Sequence, residues 1–188
     1  MRTQTTGPDG FANASVVRED TNPGARQENT FMPRRLLKYK NYDVHSVTTV
    51  SNGKRNANIV TWLTQTDMGS KVLAVALYKA DYTIELVRES GILNVNLLAI
   101  DQTSLIRKLG QQSGRDKDKF NKLPYALDER GCPYLTEAIG YVQCRLSHST
   151  DAGDHELFIC EVVRQVVLNP DKEVMTNALL KARKLIRG

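Results

Sequence analysis

The chain has little that could bridge, chelate or cross a membrane. Its three cysteines, Cys132, Cys144 and Cys160, stand at wide spacing, without the two-residue gap of zinc or thioredoxin-type chemistry. Its apolar runs fall far short of the roughly 20 residues that span a bilayer. The first 33 residues are polar and include Asp9, Glu19, Asp20 and Glu28, so they offer no apolar stretch for a signal peptide, and their acids argue against a transit peptide. A reducing, cytoplasmic setting is expected. Aromatics are few at 6%, and 26 basic against 21 acidic residues leave a net charge of only +5. Such a mild balance suits an anionic ligand without demanding one, and nucleic acid is not expected as a partner. There is no Gly-x-Gly-x-x-Gly, no phosphate loop and no nucleophile elbow. His45, His148 and His155 do not fall at metal-ligand spacing, so no metal site is expected.

What is present reads as strands. Residues 1–33, rich in Thr, Asn, Gly, Pro and Gln, show no apolar periodicity and are expected to be a disordered or partner-contacting arm. A barrel over 34–170 and a terminal helix over 171–188 would follow. The β-branched run 44–50 leads into Asn52-Gly53, a strong hairpin signal because both positions tolerate positive φ, with a return strand at 56–65. VLAVALY at 72–78 is apolar on both faces and reads as a central strand. A helix is expected from Asp81 to a stop near Gly91, then a strand at 92–98 and a second helix at 101–109. Residues 111–122 form a charge-dense loop. Long strands at 141–147 and 156–168 flank a turn, and 173–187 reads as the terminal helix. Many strands with two to three peripheral helices place the fold in the all-β to α+β class, centred on a barrel.

Three clusters could carry chemistry. In 58–65, Asn58, Thr61 and Thr64 interrupt a strand that otherwise wants to be buried. They are either solvent-facing hydroxyls of an edge strand or groups set to bond the polar edge of a flat ring. Lys79 to Thr83 sit at a strand-to-helix junction, where free backbone N–H groups suit a phosphate but where Asp81 or Thr83 could equally be a cap. Gly153-Asp154-His155 is either a plain hairpin turn or a turn that holds a titratable imidazole at a pocket mouth.

Taken in order, NIVTWLTQ at 58–65, YTIELVRESGILNVNLL at 82–98, DKF at 118–120 and AGDHELFICEV at 152–162 resemble the flavin reductase-like, FMN-binding split-barrel family. The resemblance runs over about 39–167. It implies an FMN-binding split β-barrel, a homodimer, and one FMN per subunit, with FAD as an alternative flavin. It would place Asn58, Thr61, Trp62, Leu63 and Thr64 along the ring and ribityl chain, and Lys79, Tyr82 and Thr83 near the phosphate. Asn96 would close the pocket, and Lys119 with Phe120 would belong to the loop over it. His155 would approach the nicotinamide as the catalytic residue. The activity implied is NAD(P)H-dependent flavin reduction, NADH or NADPH being the donor. A non-enzymatic FMN carrier reduced by a redox-partner protein is the alternative. The chain departs from the family's pattern at Ser70-Lys71, where a Pro-Pro pair is frequent, and at Asp81, where a basic or small polar residue is frequent.

Overall fold

The computed structural model describes residues 36–186, and the expected N-terminal arm lies outside them. A 3-10 turn at Leu36–Tyr39 leads to β1 (His45–Ser51) and β2 (Lys54–Val60), then β3 (Leu63–Gln65), β4 (Val72–Tyr78), α1 (Tyr82–Ser90) and β5 (Ile92–Leu97). α2 (Ser104–Gly110), β6 (Tyr125–Leu127), β7 (Pro133–Leu135), β8 (Gly140–Ala152), β9 (His155–Val167) and α3 (Asn177–Ala182) complete the chain. Seven strands form one antiparallel sheet in the order β2-β1-β5-β8-β9-β4-β3, and β6 pairs with β7 apart from it. No helix among the described residues is long and apolar enough to cross a membrane.

The sheet cannot be flat. Its two edge strands, β2 and β3, are joined only by Thr61 and Trp62. Three Cα steps hold Val60 and Leu63 within about 11 Å of each other, whereas seven flat strands would separate the edges by about 29 Å. The sheet therefore curls into a half-closed barrel whose seam is the Thr61-Trp62 link. Bulges in the β8–β9 ladder, between Gln143 and Cys144 and between Leu146 and His148, add local bend.

The Asn52-Gly53 hairpin forms as expected, with both residues at positive φ (48° and 75°) between the paired Ser51 and Lys54. Gly91, at φ 68°, ends α1. Several expectations are corrected. The single strand expected at 56–65 is two strands on opposite edges. The 72–78 strand lies next to an edge, between β9 and β3, and its apolar outer face lines a groove instead of a second layer. The helix expected over 173–187 is confined to Asn177–Ala182. The stretch before it is extended because its backbone is claimed elsewhere: Val44 N–H donates to Met175 O, Met175 N–H to Leu98 O, and Ile100 N–H to Glu173 O.

Period-two alternation divides the core. Val47, Leu93, Val95, Phe158, Cys144 and Cys160 point inward with Ile84 and Val87 of α1, while Val44, Ala57 and Leu98 pack outward on α2 and α3. The outer face of the β1–β5 pair is polar instead. There Thr48 and Asn94 donate to Pro133 O, and Asn94 Nδ2 also donates to Asp128 Oδ2. Arg130 pairs with the fully buried Asp128 carboxylate at 2.8 Å. Burial alone would raise the Asp128 carboxyl, but donors from Arg130, Asn94 and the Cys132 and Arg130 amides outweigh it and hold it below its ordinary value. This network fastens the β6–β7 hairpin to the barrel.

Because the native value is depressed, the stability contributed by Asp128 is complete above the usual Asp range, near pH 4, and is lost as pH falls through the native value. Asp128→Asn leaves Arg130 without its buried counter-charge, for an expected loss of about 3–5 kcal/mol in urea unfolding at neutral pH. The difference from wild type should shrink as the pH is lowered below 4; a constant difference would contradict this account.

Candidate functional site

The seam gathers the expected residues unevenly. Thr61 and Trp62 form the link itself, and the Trp62 carbonyl accepts from Ala76 N–H at 2.9 Å, tying the link to β4. The Trp62 ring is half exposed. It lies 4.8 Å from the His155 ring, centroid to centroid, and His155 also lies 5.4 Å from Tyr78, its cross-strand partner. The Gly153-Asp154 turn, with Gly153 at φ 77°, delivers His155 to this position. Asp154 Oδ1 stands 2.7 Å from His155 Nδ1, and this contact holds the Asp154 carboxyl below its ordinary value.

Two cavities meet at the link. One, about 170 Å³, is lined by Asn58, Thr61, Trp62, Tyr78, Asp81 and His155, among others. The other, about 1040 Å³, is an apolar groove on the outer face of the barrel. Its floor is Ala74 and Ala76 of β4 with their cross-strand partners Ile159 and Leu157. Thr61 to Thr64 form one wall, and Lys38, Lys40, Tyr42 and Lys181 line other parts. Two alanines on one face of a strand leave room for a flat ring to approach the sheet. Thr61, Trp62 and Ala76 border both cavities. Leu63 and Thr64 border only the groove, and Thr64 donates to Gln65 O at 3.1 Å.

Asn56 and Asn58 share the inner face of β2 and meet the start of α1. Asn58 Nδ2 donates to Asp81 Oδ2 and Asn56 Nδ2 to Thr83 Oγ1, both at 3.0 Å. The side-chain oxygens of both asparagines are buried and lack a partner among the described residues.

The remaining expected residues lie apart. Lys79 pairs with Asp151, lowering that carboxyl. Tyr82 lies beneath the Arg115 guanidinium, 5.0 Å from its ring centroid, and Arg115 pairs with Glu85. Asn96 lies on the polar outer face of β5, donating to Ser46 O and Thr48 Oγ1 and accepting from Leu135 N–H. Lys119 is buried and donates to Ala57 O at 2.6 Å and Leu109 O at 2.7 Å. Desolvation lowers its pKa, opposed by the Asp81 charge, and its two bonds tie the 111–122 loop to β2 and α2. Phe120 packs in the outer core.

Sequence reasoning passed over Tyr78, the Ala74 and Ala76 floor and the partners Leu157 and Ile159. The alternation of small and large residues in VLAVALY was the available signal. It also assigned Asp81 to helix capping, whereas the side chain makes no cap bond. Among the described residues, no group of three or more His, Cys, Asp or Glu is placed to hold a metal ion.

Comparisons with known proteins give the family and the fold. The flavin reductase like domain model matches residues 40–184. The chain belongs to the flavin reductase-like family. A high molecular weight rubredoxin of Moorella thermoacetica is 30% identical over 139 residues, covering 73% of this chain but only 61% of that protein. The ferric-chelate reductase (NAD(P)H) of Archaeoglobus fulgidus is also 30% identical over 139 residues, covering 73% of this chain and 82% of that one. In fold, the chain matches an FMN-binding protein from Thermus thermophilus with a TM-score of 0.66 at 22% identity, over 80% of this chain and 82% of that one.

Close packing around Asn56 gives a direct check on the loop. A Cβ built on Gly114 would lie 2.1 Å from Asn56 Oδ1. Gly114→Ala is expected to displace the Asn56 amide from Thr83 and to cost about 1–2 kcal/mol in thermal or urea unfolding. An unchanged melting curve would mean that the 111–122 loop is free to lift away from β2.

Proposed function

We propose that this chain is an NAD(P)H-dependent flavin reductase that binds FMN, with FAD the alternative, at the Thr61-Trp62 seam. One observation carries the reading: an apolar groove with an alanine floor adjoins a polar pocket lined by Asn58, whose buried side-chain oxygen has no partner among the described residues, and both share one wall. This is the surface a flat ring with a polar side chain requires. Family membership and the relative named for NAD(P)H support the donor. When bound, the flavin supplies the two-electron chemistry, accepting a hydride from the nicotinamide and passing electrons on.

The protein's part is to place and shield. Ala74 and Ala76 admit the ring to the sheet, and Leu157 and Ile159 keep water from beneath it. Thr61, Trp62, Leu63 and Thr64 supply the wall of backbone and hydroxyl groups along its edge. The Trp62, His155 and Tyr78 rings close one end, and Asp154 fixes the orientation of the His155 imidazole, which would meet the nicotinamide. Asn58 would face the flavin's side chain. Lys79, Tyr82, Thr83, Asn96 and Lys119 enter this reading as a supporting frame, since each already has an intramolecular partner. A homodimer that covers the groove, a redox-partner protein as electron acceptor, and a cytoplasmic setting complete it. The exposure of Leu36, Leu37 and Met68 supports a covering partner.

The protein's single tryptophan is a built-in probe. Titration with FMN under anaerobic conditions should quench Trp62 emission, and NADH or NADPH should then bleach the flavin absorbance. His155→Ala is expected to retain flavin and to lose roughly tenfold in kcat/KM for the nicotinamide, the equivalent of one stacked contact. Flavin uptake without bleaching by either donor would favour the carrier, and failure to take up FMN or FAD would overturn the proposal.

A further inference from the structure

We propose that Asp81 and Asn58 make the small pocket a hydrogen-bond-acceptor subsite that takes the hydroxyls of the flavin's polyol chain and repels its phosphate, so that the protein holds riboflavin as well as it holds FMN. This inference rests on the flavin reading above and specifies which part of the ligand the site selects.

Asp81 occupies the N-cap position of α1 by its backbone, φ −75° and ψ 136°, yet its carboxylate makes no capping bond. It turns to the pocket and accepts from Asn58 Nδ2. That bond fixes the Asn58 amide, because the reverse orientation would set two acceptors against each other. Asn58, which lines the pocket, is only 4% exposed, and its Oδ1 is buried with no partner among the described residues. What remains on offer from this pair is acceptor capacity, a negative charge and the second Asn58 N–H.

The cations that a phosphate would need are engaged elsewhere. Lys79 pairs with Asp151 and Arg115 with Glu85, and the Lys119 ammonium donates to the carbonyls of Ala57 and Leu109 while its charge acts on Asp81. Thr83 Oγ1 is buried against Asn56. The start of a helix ordinarily attracts an anion, but here the chain has placed its own carboxylate there. Alcohol hydroxyls are donors and satisfy both Asn58 Oδ1 and Asp81. A phosphate carries about two negative charges and no donor at neutral pH, so Asp81 repels it and offsets the attraction of the free N–H groups at the start of α1 and of the nearby Lys119 charge.

Dissociation constants for riboflavin and FMN, read from flavin or Trp62 fluorescence, test this in the unaltered protein and in Asp81→Asn. The substitution is isosteric and keeps an oxygen for Asn58 while removing the charge. In the unaltered protein the two flavins should bind within about threefold of each other, and Asp81→Asn should shift the preference toward FMN by about tenfold, as expected for removing one nearby like charge. FMN binding tenfold or more above riboflavin in the unaltered protein would overturn the inference while leaving the flavin reading intact. So would a preference that Asp81→Asn does not move. Binding of neither flavin to the unaltered protein would overturn both.

Discussion

The two-residue link between β2 and β3 is the constraint on which the rest depends. It joins the opposite edges of a seven-stranded sheet, and a chain of that length reaches about 11 Å at most. Closure is thereby imposed by connectivity, with the hydrophobic core filling the space that closure creates. The same link cannot be part of either ladder over its full length, so Thr61 and Trp62 project polar backbone and an aromatic ring at a seam. Two cavities lie where the barrel fails to close.

Burial follows from that curl. The inner face holds an apolar cluster plugged by Ile84 and Val87 of α1. At one end the inner face turns polar, where Asn56 and Asn58 meet Thr83 and Asp81. Unpaired acceptors in such a place are costly unless a ligand supplies donors. Contrast the β1–β5 outer face, where Thr48, Asn94 and Asn96 are equally buried but have protein partners in the β6–β7 hairpin. Similar residues therefore serve structure on one side of the sheet and remain available at the seam.

Much was legible along the chain because it depends on short-range chemistry. Asn52-Gly53 announced its hairpin through tolerance of positive φ, Gly91 its helix stop, and Gly153-Asp154 the turn before His155. The ordered motifs identified the family, and Asn58, Thr61, Trp62 and His155 do converge on one pocket. Less legible was anything that depends on which strand neighbours which. The run at 56–65 shows no break, yet it crosses from one sheet edge to the other. Residues 173–176 have helical character in sequence but lend their backbone to Val44, Leu98 and Ile100, a demand that no local pattern records.

Sequence by itself determined most of the long strands, the Asn52-Gly53 turn, the Gly91 helix stop and the family, since propensity, glycine placement and motif order act over a few residues; the β6–β7 hairpin and the split of 56–65 were not read from it. Only the tertiary structure decided what each polar residue is for. Asn96 and Asn58 are the same residue type on strands joined through β1, but the parity and curl of the sheet send one beneath a hairpin and the other to an open pocket. Lys79 and Lys119 carry the charge a phosphate would want, yet Asp151, Ala57 and Leu109 engage them first. Those partners lie 10 to 72 positions away along the chain, and Coulomb and hydrogen-bond energies depend on distance in space, not on distance along the chain.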